Sequence, residues 1–340
     1  MTCSRVARMP VAFAVSALFL LCVPLARAVD PYAGIFGLQG HPEVRSLVKS
    51  AGFGWVRLRF IWSDAQQSQP AGCDANINWN SMDFENEVNA AVQDGYQIMA
   101  TIRGTPKWAN GGVDDPARPP TDPAFFQNWA ALVSAHFCGR VTAWDLWNEP
   151  NQNNYWTGTA KQYRDLILKP GIAGIQQGCP SALVVAPSVA GGSTATVNTY
   201  TRENGNGALI PGIDAYSIHL PYSDVNTQLG VMDDMNAWCN PKPECPQYFI
   251  TEFGDKGDDA GTEMNQVLNK CFNQLSCFMA MVFHLHAADW AANSPWKPYT
   301  LLNDDGLPKN RFCKVEQHNN GTQVAPCPCS TNAPGCAGVP

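Results

Sequence analysis

The sequence predicts a single α/β domain built as a closed (β/α)8 barrel with a short Cys/Pro-rich C-terminal tail, and three observations carry that prediction. Eight short, nearly continuous apolar runs recur along the chain, at 33–38, 55–62, 97–103, 141–147, 183–189, 213–220, 248–253 and 279–285. Runs of this kind are how strands buried on both faces read. Between them lie stretches with helical spacing, at 42–51, 83–94, 123–137, 160–177 and 261–273, so strand and helix alternate as in a parallel sheet. An open doubly wound sheet alternates in the same way. No Gly-x-Gly-x-x-Gly follows the first run, however, and eight strands suit a barrel, which a chain of 340 residues can build as one domain.

Taken in order, residues 1–28 read as a signal peptide. Arg5 and Arg8 precede an apolar run too short for a good membrane span, and Ala26-Arg27-Ala28 is a small-x-small cleavage signal. The barrel is expected over 29–310 and a C-terminal extension over 311–340, where Pro, Cys, Gly and Asn crowd from Cys313 onward and predict an irregular, disulfide-pinned appendage. Of the thirteen cysteines, Cys3 and Cys22 fall in the leader, leaving eleven for an oxidising compartment. Cys239 and Cys245 bracket a Pro-rich loop, Cys271 and Cys277 form a second short pair, and Cys138 and Cys179 each precede a strand. Cys313, Cys327, Cys329 and Cys336 are expected to staple the tail, with Cys73 unassigned. The chain should therefore be secreted, extracellular or periplasmic, with no stable membrane insertion. A net charge of −7 argues against a nucleic-acid partner. A monomer is expected.

Barrels of this class carry their site at the C-terminal ends of the strands. The fourth run ends Asp145-Leu146-Trp147-Asn148-Glu149-Pro150, and the seventh ends Ile250-Thr251-Glu252-Phe253-Gly254. Each leaves a glutamate where the strand stops, on opposite sides of the barrel mouth. A lone glutamate is ordinarily a surface or salt-bridged residue. Two that face each other across a cleft suit glycoside hydrolysis, in which one carboxylic acid protonates the leaving oxygen and an ionised partner attacks the anomeric carbon.

Further words stand in the same order along the chain: Trp55-Val56-Arg57-Leu58, Gly104-Thr105-Pro106-Lys107-Trp108-Ala109, Pro119-Pro120-Thr121-Asp122 and Asp214-Ala215-Tyr216-Ser217-Ile218-His219. With the two glutamate motifs they resemble clan A of the glycoside hydrolases, and most of all family 39 and its relatives. The resemblance implies a retaining β-glycoside hydrolase that acts on a polysaccharide or oligosaccharide, with Glu149 as acid/base and Glu252 as nucleophile. It also implies that Asn148 hydrogen-bonds a sugar 2-hydroxyl, that Arg57 points inward and keeps Glu252 ionised (the alternative being a structural ion pair at Arg57, with Arg59 or Arg103 reaching the site), and that Trp108 forms part of the sugar floor. His219 and Tyr222 would flank the nucleophile, and Trp290 would supply the aromatic that strand 8 commonly brings.

Two departures stand out. The family usually reads His-Pro-Tyr at strand 6, whereas Leu220 intervenes here. Strand 8 reads Phe283-His284-Leu285-His286, whose histidines alternate onto one face. A third metal ligand is not evident beside them, so neither a metal nor another cofactor is expected. A serine esterase would need a Gly-x-Ser-x-Gly elbow, which the chain lacks. The remaining rival is a non-catalytic carbohydrate-binding protein on the same barrel, which predicts that one carboxylate has been lost. Both are present. Endo action on a polysaccharide is expected over exo action, since no large β-sandwich companion accompanies the barrel.

Overall fold

Eight parallel strands, hydrogen-bonded in chain order with the last paired to the first, close the expected barrel. They are β1 (Ala33–Phe36), β2 (Trp55–Ile61), β3 (Gln97–Arg103), β4 (Ala143–Leu146), β5 (Leu183–Val189), β6 (Ala215–His219), β7 (Tyr248–Phe253) and β8 (Cys277–Val282). The structure is a computed structural model and describes residues 33–320 except 72–75, 241, 244, 246, 257–259 and 275. The expected leader, Cys73, Cys327, Cys329 and Cys336 lie outside the described residues.

Alternation along the strands splits the apolar residues into two cores. Inward residues such as Trp55, Met99, Val185, Phe249, Met279 and Met281 plug the bottom of the barrel. Outward residues pack under the helices; Phe60 of β2, for example, stacks on Phe84 of the following helix with ring centres 4.3 Å apart. Because both faces are largely buried, these strands read as nearly continuous apolar runs, broken only where inward positions toward their C-terminal ends turn polar, as at Arg57 and Thr101.

The helices start where local chemistry allows. Helix Pro123–His136 opens on Asp122, whose carboxylate accepts from the Ala124 N–H at 2.8 Å, with proline in the first turn. The next helical stretch, 160–178, opens with a Thr159/Gln162 capping box and passes through a π-helical turn over Arg164–Leu168. It lies so close to Pro123–His136 that a Cβ on Gly174 would come within 2.4 Å of the Gln127 carbonyl oxygen. The Cys138–Cys179 disulfide ties the far ends of the two helices, just before β4 and β5. Cys239–Cys245 and Cys271–Cys277 are also joined, and Cys313 is disulfide-bonded.

Three of the longer helices were not legible from periodicity. Thr194–Thr201 is rich in threonine and buries little more than Val197 and Thr201. Val225–Cys239 buries positions 225, 228, 232, 235 and 239, a regular helical stripe, but Gln228 interrupts its apolarity. The third corrects, as far as residue 320, the irregular structure expected from Cys313 onward. Helix Asn310–Asn320 packs against helix Ala260–Asn273, buries Phe312 and Val315, and donates an Asn319 side-chain N–H to the Ala51 carbonyl at 3.0 Å. A few large apolar side chains suffice to dock it, although its composition is polar. Among the described residues no helix is long and apolar enough to cross a membrane.

Candidate active site

Above the apolar plug lies a buried polar layer built from the next inward positions of β2, β3, β4, β5 and β7. Arg57 and Asp145 are its charged members, 1% and 0% exposed. A buried charge is tolerable only when paired and hydrogen-bonded, and here every one is. Arg57 Nε donates to Thr101 Oγ1 at 2.9 Å, and its NH2 group donates to Asp145 at 3.1 Å and to Asn148 Oδ1 at 2.9 Å. Thr101 and Ser188 hydroxyls donate to the two Asp145 oxygens at 2.8 and 2.7 Å. Burial pushes the Asp145 carboxyl up, and Arg57 offsets that only in part; burial pulls Arg57 down, and Glu252 and Asp145 more than restore it.

The carboxylates of the site rest on this layer. Arg57 NH1 donates to Glu252 Oε1, the Tyr222 hydroxyl donates to Glu252 Oε2 at 3.1 Å, and His219 Nδ1 stands 3.4 Å from the same oxygen. His219 Nδ1 also meets Glu149 Oε1 at 2.7 Å. One carboxylate oxygen of each glutamate and a ring nitrogen of His219 thus lie within 4.8 Å of one another. Burial pushes the Glu252 carboxyl up, but His219, Arg57 and the Tyr222 hydroxyl outweigh it and hold its pKa below the ordinary 4.5.

Strand alternation does not by itself place these groups. Phe249 and Thr251 of β7 face inward, so Glu252 should face out; the β7–β8 register shifts between Ile250 and Phe253 and turns it into the mouth. A similar shift in β5, with Ser188 at φ 48°, aims that hydroxyl at Asp145. Beyond β4, Trp147 and Glu149 hold positive φ of 87° and 45°, conformations rare for bulky side chains. The bond from Glu149 N–H to the Ser188 carbonyl, 3.0 Å, and that from the Trp147 indole to the Tyr155 carbonyl, 2.9 Å, fix this turn.

Around the carboxylates opens a cleft of about 450 Å³. Tyr155 walls one side. Tyr222, Phe283, Trp290 and Trp296 wall the other, with the Tyr222 and Trp296 rings 5.0 Å apart. Asn148 lines the cleft as well, and since its Oδ1 is taken by Arg57, its amide N–H groups are left to donate outward.

The family model for cellulase, glycosyl hydrolase family 5, matches residues 33–293. The chain belongs to that family. Family 5 stands in clan A, the clan that the sequence motifs resemble. Among curated proteins none matches the chain significantly. Solved structures share the fold. A family 39 glycoside hydrolase from Bacteroides cellulosilyticus WH2 is 16% identical, with a TM-score of 0.64 over 86% of this chain and 64% of that one. A β-xylosidase from Caulobacter crescentus CB15 is 15% identical, with a TM-score of 0.66 over 87% and 69%. A thermostable mutant of a xylanase from Cellvibrio japonicus is 16% identical, with a TM-score of 0.62 over 86% and 98%. The chain thus spans less than two thirds of the Bacteroides protein, and at these identities the likeness carries the barrel alone.

Of the side chains singled out from the sequence, this family 5 barrel brings Glu149, Glu252, Asn148, His219, Tyr222 and Trp290 to one cleft, with Arg57 directly beneath. The inserted Leu220 does not displace Tyr222. Trp108 is a correction: it does not line the cleft. Its indole N–H donates to the Gln66 carbonyl at 2.8 Å and its ring wedges edge-on against Trp62 and Phe125, beside a neighbouring depression. Trp296, Phe283, Tyr155 and the deep Asp145 were missed. Asp145 carried a signal, being a charge inside an apolar strand; Trp296, in a Pro-rich loop past β8, carried little.

The two histidines after β8 also part company. His284 faces the cleft, meeting Asp289 at 3.2 Å and accepting from the Trp290 indole at 3.4 Å. His286 turns away and stacks on His41, rings 4.3 Å apart and 4° from parallel. With Glu43 these two form a group of metal-ligand type, but stacked rings point their lone pairs side by side rather than at one centre. The strand ends at Val282, so the alternation assumed for residues 284 and 286 no longer applies.

Burial pushes the His284 imidazole down to about 4, although Asp289 favours its charged form. The unfolded chain takes up this proton near 6.5, so the folded state loses stability progressively as the pH falls from 6.5 toward 4. In His284→Gln that part of the slope should vanish. Denaturant unfolding at pH 7 and pH 5 tests this, and identical slopes in both proteins would overturn the assignment.

Proposed function

We propose that this chain is a secreted retaining β-glycoside hydrolase that cleaves O-glycosidic bonds in a polysaccharide or oligosaccharide by double displacement. The observation that carries the reading is the approach of Glu149 and Glu252, whose oxygens lie within 4.8 Å of each other and of His219. That spacing suits retaining enzymes, with carboxyls about 5–5.5 Å apart, and leaves no place for the water that inverting enzymes lodge between them.

In the first step Glu149 gives its proton to the glycosidic oxygen as the bond to the anomeric carbon breaks, and an oxygen of Glu252 bonds to that carbon. The leaving sugar departs as an alcohol. In the second, Glu149 takes a proton from water, the water oxygen bonds to the anomeric carbon, and Glu252 is released as carboxylate. Two inversions return the β configuration. Arg57 and the Tyr222 hydroxyl keep Glu252 anionic, and His219 orients Glu149. Asn148 is held by Arg57 with its N–H groups free for a sugar hydroxyl. Trp290 and Trp296 offer apolar faces to the pyranose rings.

Three disulfides among the described residues support an oxidising compartment, extracellular or periplasmic. The proposed leader, residues 1–28, would direct the chain there. The purified protein should be incubated with β-linked polysaccharides and aryl β-glycosides, and fresh product followed by proton NMR. The β anomer should appear first and mutarotate later. First release of the α anomer would refute double displacement, and inertness of the folded protein across the panel would refute hydrolysis.

A further inference from the structure

Two arginines in the cleft are not used by the mechanism above. Arg59 follows Arg57 by two residues on β2, and Arg103 follows Thr101 by two on β3; the register pairs Arg59 with Thr101, so all four side chains share the inner face. Strands rise about 3.3 Å per residue, which sets Arg59 and Arg103 about 7 Å nearer the opening than Arg57 and Thr101. Both line the cleft with the two glutamates. Arg57 is neutralised by Asp145 and Glu252. Arg59 and Arg103 are not: among the described residues neither guanidinium is within ion-pair reach of a carboxylate, and Arg59 Nε is a buried donor with no acceptor.

Their surroundings hold them in place without satisfying them. Arg59 lies over the Phe36 ring at 5.3 Å and Arg103 over the Tyr155 ring at 5.2 Å. An aromatic under the flat guanidinium fixes its plane and leaves the N–H donors at its edge without a partner among the described residues. The charged groups that act on Arg59 from a distance are Asp289, Glu252 and Arg57, and on Arg103 they are Arg59, Arg57 and Asp64. Asp289 is already engaged by His41 at 2.7 Å and His284 at 3.2 Å. A chain of net charge −7 thus keeps two unpaired, half-buried cations side by side in its cleft. A neutral sugar would cover them and deepen their desolvation; a carboxylate would match their planar forks and cancel charge.

We infer that Arg59 and Arg103 form an anion subsite and that the substrate carries a sugar carboxylate, a uronic acid within or beside the β-linked residue being cleaved. The inference names the substrate class of the hydrolase reading and rests on it for turnover, but binding can be tested without turnover.

The full-length Glu149→Gln protein is titrated calorimetrically with a β-linked glucuronate oligosaccharide, with its carboxyl-reduced glucose counterpart, and with a sulfated neutral counterpart. The uronate ligand should bind roughly tenfold to a hundredfold more tightly than the reduced one, and the advantage should shrink with added salt. Adding Arg59→Met and Arg103→Met should bring the ratio close to one. Single Arg59→Lys and Arg103→Lys variants, verified as folded by thermal melting, should lower it less, because lysine keeps the charge but cannot grip both oxygens. Equal binding of uronate and reduced ligands, tighter binding of the sulfated one, absence of binding, or an advantage that survives loss of both arginines would overturn the subsite. Wild-type protein that binds uronate but never cleaves it would overturn the hydrolase reading instead. Cleavage of neutral polymers with no preference for uronate would do the reverse.

Discussion

Glu252→Gly should lose on the order of 10⁴-fold or more in turnover, and added azide should restore part of it as an α-glycosyl azide. The cavity left by the side chain opens directly onto the anomeric carbon, and a small anion can attack there once, with a single inversion. The matching variant at the other carboxyl should behave differently. In Glu149→Ala the nucleophile remains, so an activated aryl glycoside still forms the glycosyl-enzyme, and azide intercepts it to give the β-glycosyl azide after two inversions. The two products differ in configuration at one carbon, so proton NMR reads which residue plays which part. Exchanged stereochemistry would interchange the roles. Ordinary hydrolysis by Glu252→Gly, with no azide product, would place the nucleophile elsewhere. His219 touches both carboxylates, at 2.7 and 3.4 Å; the asymmetry comes from Arg57 and the Tyr222 hydroxyl, which bind Glu252 and not Glu149.

Arg57→Met should cost about 3–5 kcal/mol of folding stability, because it leaves Asp145 and Glu252 buried without their cation. The same change should move the acid limb of kcat/KM. In the native protein Glu252 titrates below 4.5, so the anionic form persists above that value and is lost as the pH falls through the depressed pKa. Without Arg57, burial is opposed by less, and the limb should move to higher pH; activity should then fall further at pH 5 than at pH 7. Arg57→Lys provides the case in which folding is less at risk. It keeps one charge but cannot reach Thr101, Asp145, Asn148 and Glu252 together. It should show a smaller shift in the same direction. An unmoved acid limb in both folded variants would mean that Arg57 is a structural brace without influence on the nucleophile.

The barrel was legible because its strands are dry on both faces. Runs such as 97–102 or 183–189 are nearly continuous in apolarity, and that signature does not depend on what packs against it. The helices Thr194–Thr201 and Val225–Cys239 were not, since each touches the barrel through few apolar groups and Gln228 sits in the buried stripe. The site was half legible. Asn148-Glu149-Pro150 and Thr251-Glu252-Phe253 announce themselves as polar words at strand ends, while Trp108, beside a glycine and a proline, reads equally well as a sugar platform or as packing. The structure makes it packing.

What the residues by themselves determined is the order of strands and helices and the level of the barrel at which the glutamates stand. Those are local properties, set by burial and by the residue at each strand end. Only the closed barrel brings Arg57 onto Glu252 across 195 residues of chain. Only the register shift in β7 and the positive φ of Glu149 turn both carboxylates into the same cleft. Side-chain direction at a bulge, and the absence of an ion-pair partner at Arg59 and Arg103 among the described residues, depend on the neighbouring strands, which a linear pattern of apolar and polar residues does not specify.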